Sequence, residues 1–237
     1  MTDAASPLVA RLLALEPVKT WSLIATVFGD AEAAQLSGKA LKALLEPLGV
    51  KPEAMRVALH RLKKDGWLVS EKQGREVLYQ LSEHGLQETV EARKDVYRRD
   101  AKYADGWVLA LFDPDGSDDM GSLVRIDRGL SLVPSSTPLP PSAMALTIND
   151  DIPSWFEDRL VPAHVRQLAR ELTAAATAFS GNGEEAVQVR LMCLHLWRKM
   201  ALRAGTWAHI ALLPEGAMAQ CQRAVLDVFD ATAAMRP

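Results

Sequence analysis

The spacing of apolar residues between positions 52 and 82 predicts a helix that leads directly into a two-stranded hairpin. Pro52 suits the first turn of a helix, because its missing N–H would have no partner there. The helical period of 3.6 residues then separates this helix into a buried and an exposed side. The buried side holds Met55, Ala58, Leu59, Leu62 and Gly66, and the exposed side holds Glu53, Arg56, Val57, His60, Arg61 and Lys64.

Two strand-like runs follow this helix, at residues 67–69 and 77–81. The residues Lys72, Gln73, Gly74 and Arg75 lie between them. A turn that contains glycine between two apolar runs is typical of a β-hairpin. We therefore predict a hairpin with a basic tip.

Three further helices are predicted around this segment, at residues 20–28, 37–48 and 82–102. Ser37 is a good N-cap for the second of them, since its hydroxyl can accept a hydrogen bond from a free backbone N–H. Gly49 ends that helix. The link from Gly49 to Pro52 has the length of the short turn in a helix-turn-helix.

Beyond residue 105 the pattern changes to short strands and then back to helices. The predicted strands are at residues 106–112, 123–126, 130–133 and 143–148. The predicted helices are at residues 155–160, 163–179, 184–203 and 216–234. This order of elements predicts a mainly α chain with small β-sheets, in the α+β class.

The chain is predicted to have four parts. They are an N-terminal tail at 1–16, a winged helix-turn-helix DNA-binding domain with a linker helix at 17–104, a small β-rich domain at 105–152 and a helical domain at 153–237. The tail contains a short helix at residues 8–15 that we expect to pack on a partner subunit.

Charge supports a nucleic-acid partner for the first of these domains. The segment from Lys51 to Arg75 holds seven Lys or Arg and three acidic residues, a net charge of +4, whereas the whole chain carries −3. A basic helix face is usually only a solvated face. Here the positive charge lies on both the helix and the hairpin tip, which are the parts of a winged helix that meet DNA. The predicted DNA-binding residues are Ser37, Lys39, Arg56, Val57, His60, Arg61, Lys64, Lys72, Gln73 and Arg75.

Composition places the chain among ordinary globular proteins. Its 237 residues are 49% hydrophobic and 24% charged. No apolar run approaches the roughly 20 residues that span a bilayer. The N-terminus lacks the basic start of a signal peptide, and the two cysteines, Cys193 and Cys221, give no disulfide framework. We therefore expect a cytoplasmic protein with no membrane partner.

The stretch RVALHRLKKDGWLVSEKQGREVLYQLSEHG resembles the N-terminal winged helix of the PaaX family, transcriptional repressors of phenylacetate catabolism. SLIATVFGD and LKALLEPLGV resemble the family's first two helices, and VRLMCLHLWRKMALR with ALLPEG is similar to its C-terminal helical domain. The resemblance implies a homodimeric repressor that binds an imperfect palindrome and is released by an aryl-acetyl-CoA thioester. It also implies a central ferredoxin-like sheet, or a degenerate one where the segment after Phe112 is short.

The sequence contains no motif of an enzyme active site. It has no nucleophile elbow, no Walker motif and no Gly-rich dinucleotide fingerprint. Cys193 and His195 lie about 200° apart around a helix, so they cannot share a metal ion. We expect no catalytic residue, no metal site and no cofactor.

The helix predicted at 184–203 carries two arginines on or beside its apolar side, Arg190 and Arg198. An unpaired buried charge is costly, so each needs a partner. The favoured interpretation is an internal carboxylate, with Asp105 and Glu157 as candidates. The alternative is an anionic effector, an acyl-CoA or an aromatic acid, held by Arg190 and Arg198 with Trp197 and Trp107 against its apolar part.

Two hypotheses of function follow from the sequence. The first is a DNA-binding transcriptional regulator, most simply a homodimeric repressor of a phenylacetate-type catabolic operon that binds an operator and is released by the effector. The second is a small-ligand-binding protein or an enzyme whose winged helix mediates protein contacts only.

Overall fold

The computed structural model describes residues 6–31, 35–100, 105–113, 124–148, 151–181 and 185–232. In the N-terminal half the elements are α1 (Pro7–Leu15), α2 (Thr20–Asp30), β1 (Leu36–Ser37), α3 (Gly38–Leu45), a 3-10 helix (Glu46–Leu48), α4 (Pro52–Lys64), β2 (Leu68–Gln73), β3 (Glu76–Leu81) and α5 (Glu83–Val96). In the C-terminal half they are β4 (Trp107–Leu111), β5 (Val124–Asp127), β6 (Leu130–Pro134), β7 (Met144–Thr147), α6 (Ser154–Leu160), α7 (Ala163–Thr177), α8 (Ala186–Ala201), α9 (Thr206–Leu212) and α10 (Ala217–Ala231). The predicted α+β class is confirmed.

Several predicted elements end earlier than expected. Helix α3 stops at Leu45, and a 3-10 turn continues to Leu48, because Pro47 lacks the N–H that an α-helix needs. Helix α5 stops at Val96, and the next residue, Tyr97, turns its side chain towards the interior. Parts of the predictions lie outside the described residues, namely 1–5 of the tail, 101–102 of the linker helix, 123 of a strand, and 184 and 233–234 of two helices.

Helix α9 was not predicted. It has only seven residues and lies between Gly205, which precedes it, and Pro214. A helix of two turns shows too few apolar repeats for its period to be recognised. Gly205 is required for packing, since a Cβ atom at that position would lie 1.9 Å from the carbonyl oxygen of Leu160.

Helix α1 packs on its own chain, which corrects the expectation that it would pack on a partner. Val9 and Leu12 are buried, and the helix lies against α7 and α8. The hydroxyl of Ser6 caps its first turn by accepting a hydrogen bond from the N–H of Val9. The helix itself was correctly predicted, but its apolar side is already covered.

The strands form two separate antiparallel sheets. The first has the order β1-β3-β2, and its shortest strand, β1, was missed because two residues carry no strand pattern. The second has the order β5-β6-β4-β7. Strand β6 lies between β4 and β5, which is the split arrangement of a ferredoxin-like sheet. The connection at 135–143 contains no helix, so the second helix of a ferredoxin-like unit is absent there. The short segment after Phe112, for which a reduced form was expected, lies mostly at 114–123, outside the described residues.

Helix α8 lies at the centre of the C-terminal half. Twelve of its sixteen residues are buried, among them Arg190 and His195, so the helix is buried nearly all round rather than on one side as predicted. The cluster of buried apolar side chains that surrounds it also includes residues of α1, α2, α4 and α5. The domain boundaries drawn from the sequence stay a prediction.

A buried ion pair joins the two halves of the chain. The Nε and Nη2 atoms of Arg190 donate hydrogen bonds of 2.7 and 2.6 Å to the carboxylate of Asp30, at the end of α2. The Nη1 atom of Arg190 donates to the carbonyl of Phe229 and the hydroxyl of Thr232, and Tyr97 donates its hydroxyl proton to Asp30. The side chains of Arg190 and Asp30 are 1% and 3% exposed. Helices α2, α8 and α10 and the residue after α5 therefore meet at one ion pair.

Among the described residues, no single helix combines the length and apolar character needed to cross a bilayer. Helices α1 and α2 pass that test only as a pair, bent by 117° at the break between them.

Breaking the buried ion pair should cost far more stability than breaking an ion pair of similar geometry on the surface, because the remaining charge stays buried without its partner. Replacing Asp30 with alanine leaves Arg190 charged and unpaired, so we expect a loss of about 3–5 kcal/mol in the free energy of unfolding. The matched control is Asp230→Ala, which removes the exposed pair with Arg99 and should cost less than about 1 kcal/mol. Urea denaturation measures both, and equal losses would contradict the prediction.

Candidate nucleic-acid interface

The sequence determines how α3 is joined to α4. The hydroxyl of Ser37 accepts a hydrogen bond of 3.1 Å from the N–H of Ala40 and so starts α3. Gly49 has a φ of 78°, a left-handed conformation that glycine adopts without strain, and it ends the 3-10 turn. Pro52 then stands in the first turn of α4. Three residues, 49–51, therefore separate the two helical segments.

Helix α4 presents the exposed face that its sequence predicts. Met55, Ala58, Leu59 and Leu62 are buried, and α4 packs on α2. The exposed face holds Arg56, Val57, His60, Arg61 and Lys64. Val57 is 70% exposed, so an apolar side chain lies in water amid basic residues.

The prediction for Gly66 was wrong. It was placed on the buried side of the helix, but α4 ends at Lys64 and Gly66 is exposed with a φ of 75°. A residue with positive φ cannot continue a right-handed helix, and glycine commonly follows a helix end in this conformation.

Two arginines of this face make weak local ion pairs. Arg56 lies 2.9 Å from Glu53, and the Nε of Arg61 lies 3.4 Å from Asp65. All four side chains are at least half exposed, and ion pairs in water contribute little. Both guanidinium groups can therefore exchange these partners for stronger ones.

Arg61 also contacts an aromatic ring that the sequence did not connect with it. Its Cζ atom lies 5.2 Å from the centre of the Trp21 ring, within the range of a cation–π interaction. Trp21 belongs to the first turn of α2. The two residues are 40 positions apart, and no local pattern indicates such a contact.

The hairpin is longer and its turn tighter than predicted. Strands β2 and β3 pair from Leu68 with Leu81 to Gln73 with Glu76, and only two residues form the turn. Lys72 and Gln73 therefore belong to β2, while Arg75 is in the turn beside Gly74, whose φ is 61°. All four residues are exposed, so the basic tip extends into solvent.

The base of the hairpin is held by close backbone contacts. Gly85 in α5 approaches Trp67 so closely that a Cβ atom there would lie 2.3 Å from the Trp67 carbonyl oxygen. Ser82 donates its hydroxyl proton to the carbonyl of Gly66. Lys63, which was not in the predicted site, donates to the hydroxyl of Ser70 at 2.6 Å and connects α4 to β2. The hairpin is thus fixed relative to α4 and α5.

Ser37 and Lys39, the two predicted DNA-binding residues at the start of α3, differ in how accessible their side chains are to a partner. Lys39 is exposed in the first turn of the helix. Ser37 is half-buried, its hydroxyl caps the helix, and its backbone pairs with Leu78 of β3. The hydroxyl of Ser37 is thus already engaged within the chain, whereas the amino group of Lys39 faces solvent.

The four residues predicted to hold an effector do not line one surface. Arg190 is buried with Asp30, so the internal carboxylate exists, but it is neither Asp105 nor Glu157. Trp197 is fully buried and donates its ring N–H to the carbonyl of Val96. Trp107 is also buried. The remaining member, Arg198, donates from Nη2 to the carbonyl and hydroxyl oxygens of Ser22 and lines a surface cleft.

His195 is buried one turn before Lys199 on α8. Its Nδ1 atom lies 3.2 Å from the hydroxyl of Thr26, which itself donates to the carbonyl of Ser22. Burial, with the charges of Arg198 and Lys199, lowers the pKa of His195 to about 4. The imidazole is therefore neutral at physiological pH.

The same helix offers no metal site. Cys193 is buried, and burial raises the pKa of its thiol to about 12, so it stays protonated at neutral pH. Across the ranges that the structure describes, no three His, Cys, Asp or Glu side chains are grouped in a way that could hold a metal ion.

Comparison with known proteins gives a family match for the segment that carries the candidate interface. Residues 19–85 match the family of PaaX-like proteins. They include α2, α3, α4 and the hairpin. The predicted resemblance is confirmed for this segment, whereas the likeness proposed for the C-terminal helices stays a prediction.

A curated relative extends the comparison. The chain is 39% identical over 99 residues to the transcriptional repressor PaaX of Escherichia coli K12, a match that covers 40% of this chain and 31% of that repressor. Among solved structures, the uncharacterized protein Rv0674 from Mycobacterium tuberculosis is similar over 91% of this chain and 98% of its own, with a TM-score of 0.50 and 16% identity. At that identity the second comparison concerns the fold alone.

His195 should make the stability of the chain depend on pH. Its pKa is about 4 in the folded protein and 6.5 in an unfolded chain, so the unfolded chain binds the proton first. Stability should therefore fall by up to about 1.4 kcal/mol per pH unit as the pH drops from 6.5 to 4. The free energy of unfolding, measured by urea denaturation at several pH values in this range, should change less steeply with pH for His195→Asn than for the wild type. Identical slopes would contradict the assignment.

Proposed function

We propose that the chain is a DNA-binding transcriptional repressor in which residues 19–85 act as a winged helix-turn-helix. The observation that carries this proposal is the exposed face of α4, where Val57 lies among Arg56, His60, Arg61 and Lys64. A face that contacts only water does not need an exposed valine. In the major groove of DNA, the side chain of Val57 can contact the methyl group of a thymine. The curated relative that shares sequence with this chain is a transcriptional repressor. The role is regulatory and not enzymatic.

In this proposal α4 enters the major groove and the hairpin tip contacts the sugar–phosphate backbone. Arg56 and Arg61 read base edges, since a guanidinium group can donate two hydrogen bonds to one guanine. Lys72 and Arg75 contact phosphates, which position the protein but carry no sequence information. The hydrogen bonds at the base of the hairpin support this geometry, because they fix the direction of the tip relative to α4.

One copy of α4 and one hairpin cover only half a site. A repressor of useful affinity therefore binds as a homodimer to two half-sites related by a two-fold axis. The repressor is released by a small effector, an acyl-CoA or an aromatic acid, and the operon that it controls is of the phenylacetate type. Of the effector residues expected from the sequence, we retain Arg198, because it lines a surface cleft, whereas Arg190 and Trp197 are buried against internal partners.

The first test of this proposal concerns base recognition. The preferred DNA site is obtained by selection from a random pool, and affinities for it and for random DNA are compared. Arg56→Ala and Arg61→Ala should each lose about 1–3 kcal/mol of discrimination, because one bidentate contact is removed. Val57→Ser should lower the affinity for the selected site without loss of stability, since Val57 is already exposed.

The matched control is Arg170→Ala, which removes an exposed arginine of α7 that bonds only to Gln167 in the described contacts. It should leave both affinities unchanged. If Arg56→Ala and Arg61→Ala keep full discrimination with circular dichroism like that of the wild type, α4 does not read bases.

The second test concerns the hairpin tip. Each phosphate contact releases counterions, so its loss lowers the slope of log K against log salt by about 0.9. Lys72→Ala with Arg75→Ala should reduce the slope by about 2 and change sequence preference little. Salt titrations with selected and random DNA measure this effect. An unchanged slope would mean that the tip does not touch DNA.

A further inference from the structure

A surface cleft of about 610 Å³ opens between the first turn of α2 and the C-terminal part of α8. We call it the α2–α8 cleft. Its volume is in the range of sites that hold small molecules. The residues that line it and matter for the argument are Lys19, Trp21, Ser22, Arg198, Lys199 and Leu202.

The α2–α8 cleft is positively charged. Lys199 is paired with Glu16 at 2.6 Å, which leaves the charges of Lys19 and Arg198 uncompensated within the cleft. Arg198 donates from Nη2 to Ser22, but its buried Nε has no hydrogen-bond partner among the described residues. The described residues therefore leave part of the hydrogen-bonding capacity of the Arg198 guanidinium unused.

The end of α2 adds to this positive potential. Lys19 is the N-cap of α2, and its side chain makes no capping hydrogen bond. A helix N-terminus carries a partial positive charge and attracts anions. This contribution supports the cationic side chains but would not define a site by itself.

The rest of the cleft is apolar. The indole of Trp21 is half-buried, and Leu202 at the other side is 46% exposed. An exposed leucine beside a half-exposed tryptophan leaves apolar surface in contact with water. A ligand that fits both the positively charged part and the apolar part of the cleft has one anionic group and a flat apolar body.

We propose that the α2–α8 cleft binds a small aromatic carboxylic acid, whose carboxylate meets Arg198 and Lys19 and whose ring packs against Trp21. A guanidinium group can donate to both oxygens of a carboxylate, which suits a planar monoanion. Ligand binding in this cleft does not depend on whether the chain binds DNA.

The same tryptophan connects the cleft with the face of α4. Arg61 lies over the Trp21 ring, so the ligand and one proposed base-reading residue share a contact. The negative charge of the bound acid attracts Arg61 and holds it on the Trp21 ring, away from DNA. The ligand therefore weakens DNA binding, and by linkage DNA weakens ligand binding by the same factor. This second half of the inference rests on the proposed DNA-binding function.

Calorimetry tests the site without DNA. The probes are benzoate, phenylacetate and 3-phenylpropionate, each compared with its neutral amide and with acetate. We expect saturable binding of at least one aromatic acid, and neither the amides nor acetate should bind comparably. Arg198→Gln should weaken binding about ten- to a hundred-fold, because a charge-assisted hydrogen bond is lost.

Two further variants keep this test decisive if Arg198→Gln fails to fold. Lys19→Gln changes an exposed rim residue and should weaken binding by up to about five-fold. The control Lys94→Gln, on the exposed side of α5, should have no effect. Absence of binding by all three acids, or equal binding by acetate, would overturn the proposal, as would binding that neither cleft variant changes.

Competition with DNA tests the coupling. A saturating acid should lower the affinity for the selected DNA about two- to five-fold, the size of an exposed cation–π contact. In Arg61→Ala the acid should still bind but no longer change the affinity for DNA. An effect that persists in Arg61→Ala overturns the route through Trp21. If the wild type binds no DNA, the proposed function fails, while calorimetry still decides the cleft.

Discussion

The architecture depends on one buried charge pair, Asp30 with Arg190. Two charges removed from water are tolerated only when their geometry is good and their remaining donors are satisfied. Here five hydrogen bonds converge, and burial, which by itself would lower the pKa of Arg190, is outweighed by the charge and hydrogen bonds of Asp30. Such a pair contributes little net stability but permits few other arrangements. It therefore fixes the end of α2 against α8 and α10.

With one end fixed in this way, α2 connects the buried ion pair to the helix α4. Its C-terminal end lies in the buried ion pair, its middle packs on α4, and its first turn carries Trp21 beside the α2–α8 cleft. The direction of the exposed α4 face is consequently set from the C-terminal half of the chain. The buried Thr26 and His195 lie between these two ends and are bonded to each other.

The sequence predicted best what depends on neighbours along the chain. The period of α4, the exposed basic residues and all four central strands follow from patterns within about ten residues. Contacts between distant residues were not predictable: Arg190 meets Asp30 across 160 positions, and two other carboxylates had seemed suitable. The contact of Arg61 with Trp21 and the close approach of Gly85 to Trp67 were missed for the same reason. Such pairs depend on how the helices pack, which no single segment encodes.

The close contact between Gly85 and Trp67 also bears on how this hairpin can change in evolution. At its base, a single added methyl group would collide with a carbonyl oxygen. At its tip, Lys72, Gln73 and Arg75 are exposed, and substitutions there leave packing intact, whereas the positive φ of Gly74 favours glycine. Mutations can therefore accumulate at these three exposed positions at almost no cost in folding. A lineage can therefore vary the proposed phosphate contacts of the hairpin tip while the direction of the hairpin is inherited unchanged.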